Sequence, residues 1–391
     1  MLKLAIITTT RADYGLLCPL IKKTMADDYF EVDLIATGTH LSHINGYTVS
    51  DIEKDGFTVA YRISYLNDDE FQDSPSEICK IISDGIIKFT DLFEKTEYDA
   101  IVALGDRYEL LSFCIPAFIK RIPIIHLYGG EVTSGAIDDS IRHCVTKLSS
   151  VHFPTTELHK KRILALGENE RYVINAGALG VDNIIQTEYL SDMELRKSLK
   201  INNDKPLGLI TYHPVTLEDY EDVDNQIVEV LEAALKYENL FYIITMPNAD
   251  HGSRKILNHI SNYASSHQNR FVFYESLGQR RYLSALKVAK VMIGNSSSGI
   301  LESPSFRLPV VNIGDRQKGR FRSKNIIDCK CDRHEIILAI EKALSKGFKN
   351  EIKDLESPFG NGQAAEIIVS HLKRIDFMNK EELLKKDFHM I

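Results

Sequence analysis

No Gly-x-Gly-x-x-Gly follows the first predicted strand, and no Walker A pattern occurs in the 391 residues, which weighs against dinucleotide redox chemistry and ATP hydrolysis. No Gly-x-Ser-x-Gly elbow is present, so acyl transfer has no support. Metal-ligand spacing is missing too. The six cysteines (Cys18, Cys79, Cys114, Cys144, Cys329, Cys331) form no framework, and Cys329-x-Cys331 has no second pair at zinc spacing. Several sit in apolar helical runs and read as buried free thiols. Positive charge is not in excess: a net charge of −8 argues against non-specific binding to nucleic acid or to an acidic membrane surface. The apolar stretch Leu2–Ile7 is too short for a signal peptide or a membrane span, which predicts a cytoplasmic protein.

What is present reads as an α/β protein. A chain of 391 residues exceeds the size of one usual core, so two domains are expected. Short β-rich runs alternate with longer helical patterns, the signature of parallel sheets flanked by helices. Strands are predicted at Leu2–Thr8, Val32–Ala36, Ala100–Leu104, Pro123–Leu127 and Tyr172–Asn175, with helices at Pro75–Phe93 and Ile137–Leu148. Around Leu190 to Pro206 the pattern lapses into charged and polar residues, and the interdomain linker is placed there. A second series has strands at Leu207–Tyr212, Leu240–Met246, Phe271–Tyr274 and Val291–Ile293. The predicted division is residues 1–195, residues 206–362 and a helical tail over 363–391. The economical architecture is two doubly wound, Rossmann-like domains facing across a ligand cleft.

In such sheets ligands sit beyond the carboxyl ends of the strands, so the polar residues there carry the functional reading. The segment Gly294-Asn295-Ser296-Ser297-Ser298-Gly299 is the most informative. It reads as a strand end opening onto a helix, where backbone N–H groups and hydroxyls suit a phosphate. Glu302 is near enough to accept from ribose hydroxyls, and Arg316 follows the run Val310–Ile313 as a fixed cation for a diphosphate. Arg11 stands at the first strand–helix crossover. His213 ends a strand, with Pro214 fixing the turn; as an imidazolium it would neutralise a leaving diphosphate. Asn248 is either a turn residue or a nucleotide contact.

Asp106 and Glu131 follow two successive strands. Asp138 and Asp139 open a helix, where either is equally an N-cap. Asp106 also has the reading of an ion pair with Arg107. Two or three carboxylates around one sugar suit acid/base work, because crowding raises the pKa of at least one.

Arg11-Ala12-Asp13-Tyr14, Gly105-Asp106-Arg107, Gly129-Gly130-Glu131 with Asp138–His143, His213–Thr216, Gly294–Gly299 with Glu302, and Arg316-Gln317 occur in this order. Together they resemble the UDP-N-acetylglucosamine 2-epimerases, in the hydrolysing branch that feeds sialic and legionaminic acid synthesis. The resemblance runs from Leu2 to about Ile327. It implies a glycosyltransferase-B-like fold, UDP held mostly by the second domain, and no cofactor or metal. It also implies a homodimer or homotetramer. Arg11, His213, Ser296 and Ser297 would contact the diphosphate, Glu302 the ribose, and Arg107, Asn248, Gly294 and Arg316 would complete the nucleotide and phosphate shell. Asp106, Glu131 and Asp138 would be the catalytic carboxylates. The implied reaction converts UDP-N-acetylglucosamine and water to N-acetylmannosamine and UDP; the alternatives are UDP-N,N′-diacetylbacillosamine as substrate, or a non-hydrolysing epimerase. One position departs from the family. Tyr128 stands where a glutamate is frequent, so either Glu131 takes that role or a phenol serves.

Overall fold

The computed structural model describes residues 1–44, 46–66, 74–133, 137–213, 223–245, 253–274 and 276–389. Asn248 lies outside the described residues. Among them, the strands form two six-stranded sheets in which every pairing is parallel. The first contains β1 (Leu2–Thr8), β2 (Phe30–Thr37), β3 (Tyr61–Ile63), β4 (Ala100–Leu104), β5 (Ile124–Leu127) and β6 (Val151–Phe153), in the order β3-β2-β1-β4-β5-β6. The second contains β7 (Leu207–Thr211), β8 (Phe241–Thr245), β9 (Phe271–Tyr274), β10 (Met292–Gly294), β11 (Val310–Ile313) and β12 (Ile326–Cys329), in the order β12-β11-β10-β7-β8-β9.

Counted from its own first strand, the second sheet repeats the order of the first. Both wind outward from a point between their first and fourth strands, where the order reverses and the carboxyl ends open a crevice. In the first sheet that point lies between β1 and β4; in the second, between β7 and β10. The β4 and β7 runs are buried along their whole length, as strands covered by helices on both faces must be.

The chain divides into two compact units, Met1–Ile185 with Phe359–Ile391, and Gln186–Pro358. The supposed linker is therefore largely structured. Ser191 and Glu194 form a capping box that starts the helix Asp192–Ser198, and this helix packs on Gly278–Val288 within the second unit. The chain returns to the first unit at Phe359, whose carbonyl accepts from Ala178 N–H at 2.7 Å. Asp182 then accepts from the N–H groups of Ala364 and Ala365 at 2.9 and 2.8 Å. It caps the helix Ala364–Leu372, which packs on Arg11–Met25.

Tyr172–Asn175 is not a strand. Residues Glu170–Tyr172 form a 3₁₀ turn, and only Val173 bridges to His152. Nor are the cysteines uniformly buried: Cys114 is, whereas Cys79 and Cys144 are exposed. No helix among the described residues is long and apolar enough to cross a membrane.

Candidate active site

In the first unit the segments that follow β1, β4 and β5 carry Arg11, Asp106, Arg107, Glu131 and Asp138 of the residues singled out from sequence. After β1, Thr10 caps the helix Arg11–Met25, and Asp13 answers by accepting from Thr9 N–H at 2.7 Å and Thr10 N–H at 2.6 Å. Asp13 is thus structural. The box fixes Arg11 as the first helical residue, exposed, with Nε 3.7 Å from Asp51 Oδ2.

Arg107 is held by a neighbouring carboxylate. Its guanidinium donates to Glu109, with Nη2 to Oε1 at 2.7 Å, and Glu109 is fully buried. The expected Asp106–Arg107 pair is replaced by another. Asp106 is bound by Arg142, which is 2% exposed despite its full charge. Arg142 also donates to Asp139 Oδ1 at 2.8 Å, to the Glu131 carbonyl at 2.8 Å and to Thr133 Oγ1 at 2.8 Å. A buried guanidinium is tolerated only when its donors find partners. Here those partners belong to three of the chain's candidate segments, so one side chain fixes them all.

Asp139 is spent on this network, since it also accepts from Thr133 N–H at 2.8 Å. Asp138, its neighbour, is not. Burial pushes its carboxyl above the ordinary aspartate value, and the charge of Asp106 pushes it further. The structure thereby separates two carboxylates that the N-cap reading alone left equivalent. Glu131 is buried, with Oε1 3.3 Å from the Thr155 hydroxyl. It follows Gly130, whose φ of 77° and close approach to the His159 main chain exclude a side chain there.

Tyr128 is also accounted for. Its phenol oxygen accepts from Gly180 N–H at 3.2 Å, and burial pushes its pKa up, so it is no base near neutral pH.

In the second unit the crevice between β7 and β10 is built on Gly294 and Asn295. Gly294 has φ 137°, and a Cβ there would overlap the Thr211 carbonyl of β7. Asn295 is fully buried. Its Oδ1 accepts from His213 N–H at 2.7 Å and its Nδ2 donates to the His213 carbonyl at 2.8 Å. The Asn295 carbonyl in turn accepts from Arg316 Nη1 at 3.2 Å and Gln317 Nε2 at 2.8 Å. His213, Arg316 and the serine loop are therefore parts of one hydrogen-bonded frame.

The imidazolium expected at His213 does not form at neutral pH. Burial, and then the charge of Arg316, push its pKa down to about 3. A neutral ring carries one N–H donor. Ser296 Oγ accepts from Ser298 N–H at 3.3 Å, while Ser297 precedes the short helix Ser298–Leu301. Tyr282 donates to Ser298 Oγ at 2.7 Å, and Ser298 donates on to Glu302. Burial raises the carboxyl of Glu302, which this chain of donors holds in place.

Four contributors escaped the sequence reading as functional groups: Arg142, Asn295, Gln317 and Tyr282. Arg142, Asn295 and Gln317 lay inside quoted motifs, and an arginine on an amphipathic helix ordinarily reads as a solvated charge. Among the described residues, no group of three or more His, Cys, Asp or Glu is placed to hold a metal ion.

The comparisons with known proteins agree with one another. A family model described as UDP-N-acetylglucosamine 2-epimerase matches residues 22–373. The GDP/UDP-N,N′-diacetylbacillosamine 2-epimerase (hydrolyzing) of Campylobacter jejuni is 41% identical, over 99% of this chain and 98% of its own. The UDP-N,N′-diacetylbacillosamine 2-epimerase (hydrolyzing) of Legionella pneumophila is 35% identical, over 95% of this chain and 96% of its own. The crystal structure of UDP-GlcNAc 2-epimerase from Neisseria meningitidis bound to UDP-GlcNAc shares the fold, with a TM-score of 0.78 at 19% identity over 96% of this chain and 100% of that one. This chain belongs to the UDP-N-acetylglucosamine 2-epimerase family, in its hydrolysing branch.

Proposed function

We propose that this enzyme hydrolyses UDP-N,N′-diacetylbacillosamine with inversion at C2, releasing UDP and the free 2,4-diacetamido-2,4,6-trideoxymannose. The observation that carries the chemistry is the set of carboxylates at the carboxyl ends of the first sheet: Asp106 on Arg142, Glu131 beside Thr155, and Asp138 raised by its surroundings. The sugar is chosen on the two relatives that carry this substrate in their names. UDP-N-acetylglucosamine, the first expectation from sequence, is the second reading, supported by the description of the matching family model.

The hydrogen at C2 beside an acetamido group is a poor acid. Stretching the anomeric C–O bond builds positive character at C1 and acidifies it. His213, Ser296, Ser297, Arg11 and Arg316 stabilise the charge that develops on the departing diphosphate. Glu302 binds the ribose, and Asn248 completes the nucleotide shell. Asp106 or Glu131 takes the C2 proton, giving the 2-acetamidoglycal and UDP. Asp138 then delivers a proton to C2 from the opposite face while water adds at C1. Acid/base groups of this kind contribute roughly 10²–10⁴-fold each. We place the enzyme in the cytoplasm as a homo-oligomer serving a sialic- or legionaminic-acid-type surface glycan; light scattering tests the assembly.

Proton NMR in D₂O with each nucleotide sugar tests the proposal. Free 2-epimer carrying deuterium at C2, with UDP, is expected, and faster from the diacetamido substrate. Preference for UDP-N-acetylglucosamine selects the second reading. UDP-linked epimer without free sugar assigns a non-hydrolysing reaction instead.

A further inference from the structure

The second unit carries a cavity of about 670 Å³, which the proposed reaction does not use. Its volume lies within the ~300–1,000 Å³ of small-molecule sites. It opens at the carboxyl edge of the second sheet, where Gly314–Asp315 leave β11 and Lys330–Cys331 leave β12. Tyr212, Gln226 and Cys331 line its inner part, with the Tyr212 hydroxyl donating to Gln226 Oε1 at 2.9 Å. Lys318, Arg320, Arg322 and Lys330 bring four positive charges to its wall.

Three of these four cations meet carboxylates of the same wall, two of them in exposed pairs. Lys318 is 71% exposed and meets Asp315 at 3.2 Å; Lys330 is 84% exposed and meets Glu335 at 3.8 Å. Pairs this exposed are weak in water, so an incoming anion displaces them at little cost. Arg322 is fixed, with Nε 3.2 and 3.1 Å from the two oxygens of Asp328. Asp328 itself accepts from Asn312 Nδ2 at 2.6 Å. Arg320 has no carboxylate partner among the described residues. Asp328 being taken by Arg322, the other acidic members, Asp315 and Glu335, suit hydroxyl groups rather than a second anion. A lining of mixed sign fits a small polyhydroxylated anion and does not fit a nucleic acid backbone.

One loop serves this cavity and the nucleotide frame. Asp315, Lys318, Gly319 and Arg320 line the cavity, while Arg316 and Gln317 between them hold the Asn295 carbonyl. Asn295 in turn fixes both main-chain groups of His213. The geometry points to a second ligand site here, taking a sugar-sized metabolite that bears a phosphate or carboxylate on Arg320, Lys318 and Lys330. Its occupation changes nucleotide affinity through the loop Gly314–Arg322; this coupling rests on the nucleotide reading given above, whereas the site itself does not.

Titration calorimetry of the whole chain with D-glucose 6-phosphate and, separately, D-glucuronate tests both parts, with and without saturating UDP. At least one probe is expected to bind with Kd below about 1 mM whether or not UDP is present. The double variant R320A/K330A is expected to weaken it about tenfold or more, and a bound probe to shift the Kd for UDP about fivefold. Alkylation of Cys331, read by peptide mass spectrometry, slows when the probe is bound. No heat from either probe up to about 10 mM, binding indifferent to R320A/K330A, or competition by UDP each overturns the second site. Probe binding without any effect on UDP affinity overturns the coupling alone. Failure of UDP itself to bind sinks the nucleotide reading and leaves the probe titrations to decide the cavity.

Discussion

Asn295 grips His213 by both of its main-chain groups, accepting from the N–H at 2.7 Å and donating to the carbonyl at 2.8 Å. This ties the carboxyl ends of β7 and β10 at the point where the strand order reverses. An aspartate there keeps the accepting half and loses the donating half, so the His213 carbonyl loses its Asn295 donor in a buried place. Losing a buried hydrogen bond costs about 1–3 kcal/mol, so Asn295→Asp is expected to raise the Kd for UDP about tenfold or more. Calorimetry checks it. A Kd within about twofold of the parent removes the clamp from the binding argument.

Asp106→Asn separates chemistry from binding. The amide still meets Arg142 but no longer takes a proton, so turnover is expected to fall at least about a hundredfold while UDP affinity changes little. Turnover within about tenfold of the parent rules Asp106 out as the base.

The same variant carries a pH signature. Asp138 is raised by burial and by the charge of Asp106, so it keeps its proton to higher pH than an ordinary aspartate. If it delivers the proton to C2, turnover falls as pH rises through that raised value. Removing the Asp106 charge moves this limb to lower pH in a kcat profile. A limb that stays put assigns the proton donor to another group.

The sheets were legible where strands run through the middle of the fold. Leu2–Thr8 and Ala100–Leu104 match the structure to the residue, since buried parallel strands read as unbroken apolar runs; Phe271–Tyr274 matches as well, although β9 is an edge strand. Of the strands not predicted as such, β3, β6 and β12 are sheet edges, and each holds a polar residue: Arg62, His152 and Asp328; β11, read from sequence only as an apolar run, lies inside the second sheet. In the site, the order and type of residues were readable but their pairing was not. Nothing in the sequence says that Arg142 takes Asp106 while Arg107 takes Glu109, or that Asp139 is bound and Asp138 is not. Those choices depend on burial, which one sequence does not give.

The C-terminal tail is held by charge. Glu168 is 3% exposed, and Lys147, His152 and Lys386 lie 2.6, 3.1 and 2.7 Å from its carboxylate. Burial alone would raise its pKa; His152 and the two lysines outweigh that and hold it at about 2. A carboxyl depressed in the fold stabilises above its unfolded value and loses that contribution as pH falls toward about 2. Breaking a buried pair costs about 3–5 kcal/mol, so Glu168→Gln is expected to lower Tm by about 6 °C or more at neutral pH. Thermal melts should show a smaller deficit near pH 3 than at pH 7, because the parent is then losing the same charge. An equal deficit at both would make the effect one of packing.

Tyr128 stands where the family resemblance leads one to expect a glutamate, so its hydroxyl invites a catalytic assignment that its surroundings oppose. The residue holds a φ of 66°, its oxygen is committed to Gly180 N–H at 3.2 Å, and burial pushes its pKa up. Deprotonating that phenol at neutral pH would put an unpaired charge in a buried site. Tyr128→Phe removes the oxygen and little else. The expected loss is that of one hydrogen bond, about 1 kcal/mol in a denaturant melt. Turnover should stay within about threefold, because the proton chemistry rests on Asp106, Glu131 and Asp138. A hundredfold loss of turnover with an unchanged melt would return the phenol to the mechanism and displace Glu131 from it.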